Sequence, residues 1–168
     1  MSVKIILVTM MLLFGMTGMA AADVSSIAKE DIQTSLKQSG GTVFPIGEPN
    51  AKNAAYFTGE SYVSWLSDGG VPIGNVTFVN GAHTHWHIHH NSCQVLVAES
   101  GRGYYQIWGE APHELKPGMV VTIPAGVKHW HGAAPGSMFQ HISVMQSVPG
   151  ITTEWLEEVD PKDYQVLK

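Results

Sequence analysis

The chain has 168 residues, with nine Lys and Arg against fourteen Asp and Glu and a formal charge of −5 when its histidines are neutral. That length suits one domain with its own core and is short for two. The bases are scattered singly and form no patch able to displace counterions from phosphates, which excludes nucleic acid as a partner; a lone cysteine, Cys93, excludes an intramolecular disulfide.

Residues 1–22 read as an export leader: Lys4 supplies the positive end, the run from Ile5 to Phe14 is apolar, and Ala20, Ala21 and Ala22 offer small residues for cleavage. The apolar run is shorter than the roughly 20 residues a spanning helix needs, so no membrane segment is expected after cleavage. Removing Lys4 takes the formal charge from −5 to −6, and the expected location is periplasmic or secreted. Residues 23–54 form a polar N-terminal arm. Ile27, Ile32 and Leu36 are too irregularly spaced for a clear amphipathic face, so a short helix or an ordered arm is expected there.

Residues 55–168 form the domain proper. Short runs rich in Val, Ile, Tyr, Trp and Thr alternate with turn signals such as Asp68-Gly69-Gly70, Asn80-Gly81 and Pro117-Gly118. Strands are predicted over 62–66, 74–78, 84–89, 94–98, 103–108, 113–115, 120–123, 128–131 and 139–145, which makes an all-β barrel or sandwich. Residues 153–158 are predicted to be helical, and Asp160-Pro161 to open one more turn. Trp155, Leu156 and Tyr164 are expected on the outside of the barrel, as a lid or a dimer contact.

All nine histidines lie between His83 and His141, and five of them fall in the stretch from His83 to His90. In a strand, residues two apart share a face, so His83, His85, His87 and His89 are expected to point one way and Thr84, Trp86 and Ile88 the other. Neutral imidazoles on adjacent same-face positions can hold one Zn, Mn, Fe, Ni or Cu ion. An exposed strand binding metal adventitiously is the alternative. A second segment, Gly118 to His129, places another histidine after a Pro-x-Gly turn.

Together these segments resemble the two motifs of the cupin superfamily: Gly81, His87, His89, Gln94 and Gly101 follow the first, and Gly118, Pro124, Gly126 and His129 the second. The resemblance implies a double-stranded β-helix, a jelly-roll barrel with short terminal helices, and a divalent metal held by His87, His89, Gln94 and His129. A narrower likeness runs through Ala55 to Gly59, Trp86 to His89, Gly101 to Gln106, Lys128 to Pro135 and Trp155-Leu156. It resembles a small single-domain cupin subgroup that includes the cupin-type hydroxynitrile lyases ((R)-mandelonitrile lyase-like) and the cupins associated with carboxymuconolactone decarboxylases. Manganese is the metal this likeness implies first, with Fe, Zn, Ni and Cu as alternatives, and a homodimer is the assembly it implies.

Gln94 stands where the family usually has a carboxylate. A neutral ligand leaves the ion its full charge, which favours Lewis-acid chemistry over the facial triad of non-haem iron oxygenases. Cys93, next to it, is the alternative ligand, or a small buried apolar residue. His131 shares the face of His129, and the resemblance gives it a pocket role as a catalytic group. His141 is either a general base or a core histidine. One of His83 and His85 is expected at the cavity rim, His90 away from the site, His113 at the surface, and Trp86 and Trp130 in packing. The expected function is a metal-dependent lyase acting on a small organic substrate; the alternatives are a cupin dioxygenase and a non-enzymic binder of metal or a small ligand, for which His83, His85 and His90 would be spare ligands.

Overall fold

The computed structural model describes residues 21–38 and 43–167, with side chains from residue 29 onward. The expected leader falls outside the described residues except for Ala21 and Ala22, which begin helix α1 (Ala21–Gln38). No helix among the described residues is long and apolar enough to cross a membrane.

Alternating apolar and polar residues build two antiparallel sheets. One runs in the order β1 (Glu48–Pro49), β3 (Ser61–Ser67), β4 (Ile73–Phe78), β12 (Phe139–Met145), β7 (Gln94–Gly101), β10 (Val120–Ile123). In the other, β11 (His129–Ala133) is central. Along one edge it pairs with β8 (Gly103–Ile107), which pairs in turn with β9 (His113–Leu115). Its other edge is shared by β5 (His83–Thr84) and β6 (His87–His90), and these are flanked by β2 (Phe57–Thr58) and β13 (Thr152–Trp155) respectively. This is the all-β double-stranded β-helix that the sequence led us to expect.

Phe78, Leu96, Leu115, Ile123 and Phe139 fill the interior and are almost wholly buried, each contributing about 1.5–3 kcal/mol of transfer free energy. The Phe78 ring touches both His131 and His141, so the histidine cluster rests directly on apolar core. On the outer face of the second sheet, Trp86, Tyr104, Trp130 and Tyr164 form a separate cluster. Tyr164 belongs to α2 (Pro161–Gln165), whose first turn is capped by the Asp160 carboxylate accepting from the Lys162 N–H. Its hydroxyl lies 2.7 Å from the Gly81 carbonyl and 2.8 Å from that of Ala133, which anchors α2. In α1, Ile32 and Leu36 are buried against Ile46 and Tyr62.

Two expectations are corrected. Residues 153–158 are not helical: Thr152–Trp155 is a strand paired in register with His90–His87, and the backbone hydrogen bonds offered by β6 override the helical tendency of the Glu-rich run. The predicted strand over 84–89 is broken at His85 and Trp86, whose amide groups bond instead to the carbonyls of Tyr56 and Glu157. Thr84 and His87 both face the interior although they are three positions apart, so the alternation slips by one and His83 and His85 turn outward.

Two glycines make this arrangement possible. Gly101 has φ +77° where the chain crosses from one sheet to the other, and a Cβ there would sit 2.1 Å from the Met138 carbonyl oxygen. Gly132 lies opposite His83, and a Cβ would fall 2.4 Å from the His83 Cα. Gly132→Ala is therefore expected to force the β5–β11 contact apart and cost about 1–3 kcal/mol, as for other overpacked sites. Urea denaturation with an unchanged midpoint would contradict this account of the contact.

Candidate metal centre

The centre is assembled from both sheets. His87 and His89 alternate along β6 and point inward, His129 sits directly across from His87 on β11, and Gln94 enters from the start of β7 in the opposite sheet. All four are buried. The nearest ligand atoms of the three histidines lie within 4.8 Å of one another, and they form the one group of this kind among the described residues.

Each imidazole is held from behind. His87 Nδ1 donates to the His85 carbonyl and His129 Nδ1 to the Val127 carbonyl, both at 2.9 Å; His89 Nδ1 lies 3.0 Å from the Thr153 hydroxyl. A carbonyl only accepts, so His87 and His129 carry their proton on Nδ1 and present bare Nε2 lone pairs to the centre. The Gln94 amide nitrogen donates to Ser143 Oγ at 2.9 Å, which turns Oε1 toward His129 Nε2, also at 2.9 Å. Two acceptors thus meet at hydrogen-bond distance. His89 Nε2 is buried and makes no hydrogen bond of bonding geometry. A shared cation removes both conflicts, and a donor set of three imidazoles and one amide oxygen suits a divalent transition metal.

Burial sets the protonation state of the cluster. Desolvation pushes His129 down to about 4, and it does the same to His89 against the opposing pull of the Gln94 amide. His87 is held well below the ordinary histidine value by the same cause and by its neighbours His129 and His89. Neutral imidazoles are the form that binds metal.

A cavity of about 290 Å³ opens onto these residues. Phe57, Val63, Val76, Met145 and Trp155 give it apolar walls, while His87, His89, Gln94 and His131 make its polar face. His131 Nδ1 lies 3.1 Å from His141 Nε2, and both rings are buried. Desolvation lowers both, His141 to about 4 and His131 well below its usual range, the latter with help from neighbouring imidazoles. His141 does not line the cavity; it stands behind His131 against Phe78.

The other expectations separate clearly. Cys93 is half-buried and lines no part of the cavity, whereas Gln94 does. His83 stacks on Tyr164 with ring centroids 4.0 Å apart, and His85 faces Glu158, so neither reaches the rim. His90 pairs with Glu154 at 2.8 Å outside the site, and His113 is exposed. Trp155, expected outside, instead lines the cavity, 4.8 Å from the His87 ring and stacked on Tyr56 at 4.9 Å. Thr153 and Trp155 were the residues missed. A Thr-x-Trp pair two apart, both types favoured in strands, was the available signal.

The depressed histidines predict acid lability of the metal-free protein. His89, His129 and His141 titrate near 4 when folded and near 6.5 when unfolded, so below about 6.5 the unfolded chain binds more protons. Their stabilising contribution is complete above about pH 6.5 and is lost as pH falls toward 4. Denaturant midpoints measured between pH 7 and 4.5 should fall steadily; a flat profile would show that these rings are not buried neutral.

Comparison with known proteins bears on the same residues. The cupin domain family matches residues 74–140, a span that holds His87, His89, Gln94, His129 and His131. The chain is 36% identical over 116 residues to the (R)-mandelonitrile lyase of Granulicella tundricola, across 67% of this chain and 88% of that protein. A solved cupin-like protein from Thermotoga maritima is also 36% identical and superposes with a TM-score of 0.69, over 74% of this chain and 95% of that one. A predicted oxalate decarboxylase from Thermotoga maritima, 16% identical with a TM-score of 0.52 over 57% of this chain and 88% of that one, shares the fold alone. With the barrel, both histidine motifs and a relative matched over most of its length, the chain belongs to the cupin family.

Proposed function

We propose that the protein is an exported, metal-dependent lyase that cleaves a small hydroxynitrile. The observation that carries this reading is the neutral three-histidine, one-glutamine shell opening on an apolar cavity with a buried histidine pair in its wall. The 36% identity to an (R)-mandelonitrile lyase supports the choice of reaction. His87, His89, Gln94 and His129 would hold the ion, manganese in the first instance. A divalent ion there supplies Lewis acidity, which favours negative charge on a substrate oxygen.

The chain's own groups account for orientation and proton movement. Phe57, Val76, Met145 and Trp155 bind the organic part of the substrate and exclude water. His131 uses Nδ1 toward His141, which leaves Nε2 as the ring nitrogen available to the cavity. In cleavage, His131 Nε2 takes the hydroxyl proton, the bond from carbon to cyanide breaks with its electron pair leaving on cyanide, and the proton is returned to give hydrogen cyanide and an aldehyde. Burial lowers the His131 imidazolium below its usual range, so it is a stronger acid than a free imidazolium, which favours that return. His141 acts through His131, by fixing its ring and sharing its proton.

Export is supported by the residue pattern of 1–22. A homodimer is supported by the exposed Met119 and Val120 at β10, which pairs only with β7 among the described residues. Sedimentation velocity at micromolar concentration should give twice the chain mass, and a monomer would remove this part of the reading.

Manganese-loaded protein is expected to release benzaldehyde from mandelonitrile, with His131→Ala lowering kcat by about 10²–10⁴-fold and His141→Gln displacing the pH profile. No turnover above the metal-free protein would overturn the hydroxynitrile assignment.

A further inference from the structure

The strand misread as a helix supplies what the metal centre lacks elsewhere. β13 pairs with β6 so that Thr153 lies opposite His89 and Trp155 opposite His87, and both side chains reach the ligand they face. Two of the three imidazoles are braced by backbone carbonyls within their own segments, His85 for His87 and Val127 for His129. No substitution removes a carbonyl. The third, His89, is braced by a side chain from a distant strand, 64 residues away in sequence.

The difference is chemical as well as topological. A carbonyl dictates which ring nitrogen carries the proton, whereas a hydroxyl can donate or accept and so leaves the choice to the rest of the environment. For His89 that environment decides. Its Nε2 is buried and makes no hydrogen bond of bonding geometry; Gln94, which pulls on the ring, holds its Oε1 2.9 Å from His129 Nε2 instead, so a proton on His89 Nε2 would be poorly satisfied. A proton on Nδ1 is satisfied by the Thr153 oxygen at 3.0 Å. We propose that Thr153 is a positioning residue of the metal centre: its hydroxyl accepts from His89 Nδ1–H, holds the ring in the Nε2-bare tautomer, and thereby sets the affinity of the site for its divalent ion.

This rests on the metal-binding part of the reading above and makes no use of the substrate. Thr153 is half-buried in the cavity lining, and its neighbours in β13 alternate outward. Replacing it with valine keeps the shape and the strand preference while removing the oxygen. The Nδ1–H of His89 is then left buried and unpaired, the Nε2-protonated tautomer gains population, and the ion must displace that proton to bind. Loss of such an outer partner typically weakens metal affinity by 10–100-fold.

The test is isothermal titration of the metal-free full chain with Mn(II) and with Zn(II), for wild type, Thr153→Val and Thr153→Ser. Thr153→Val should weaken binding by about 10–100-fold, and Thr153→Ser, which restores the oxygen, should bind within about threefold of wild type. Long-range proton–nitrogen NMR of the imidazoles in metal-free wild type should find His89 protonated on Nδ1. That measurement stands even if the valine variant does not fold. Equal affinity of wild type and Thr153→Val, or a His89 protonated on Nε2 in the wild type, overturns the proposal while leaving the metal centre intact. Failure of the wild type itself to bind either ion would instead sink the metal-dependent reading.

Discussion

Three imidazole lone pairs and an amide oxygen turned toward one point repel one another, and the barrel nevertheless holds them there. The cost is imposed from outside the cluster: each Nδ1 has a partner, the Gln94 amide is oriented by Ser143, and the His87 ring is packed against half-buried Trp155. In water such a group would protonate or disperse. Here desolvation keeps it neutral, and only a cation relieves the convergence. The central place of β11, the entry of β7 from the other sheet and the apolar floor under His131 and His141 all follow from maintaining that one arrangement.

Chemical division of labour comes from burial at two depths. Residues at the cavity wall, His131 among them, meet whatever enters, while His141 is one ring further in and can act only through its neighbour. The outer face repeats the pattern without chemistry. Trp130 lies between two site histidines in sequence but faces the opposite side, where it packs with His83 and Tyr164 and donates its indole N–H to Gln106. One strand therefore serves a polar interior and an apolar exterior at once.

Much of this was legible beforehand because it is local. The strands near 62–66, 74–78, 113–115, 120–123 and 139–145, and the capped turn at Asp160-Pro161, follow from period-two alternation and turn chemistry, which neighbouring residues suffice to specify. That His87 shares a face with His89, and His129 with His131, was legible for the same reason, while the inward direction of that face was what the cupin resemblance implied. What failed was tertiary. No local rule reveals that the amides of His85 and Trp86 bond to Tyr56 and Glu157, yet that exchange of partners is what slips the alternation and sends His83 and His85 outward. Likewise Thr-Glu-Trp-Leu-Glu-Glu contains good helix formers, and only the open edge of β6 makes a strand of it. Both errors lie at the junction where the C-terminal segment meets the ligand-bearing strand.

That junction also orders events in time. A chain is synthesised from its N-terminus, and β13 emerges after every other strand of the barrel described here. Until it docks, the two carbonyl-braced rings can already be set while the third lacks its support and its aromatic cover. On the metal-binding reading proposed above, ion capture would follow the docking of β13, and the supply of ions at that moment would weigh on which metal is taken as much as the donor atoms do.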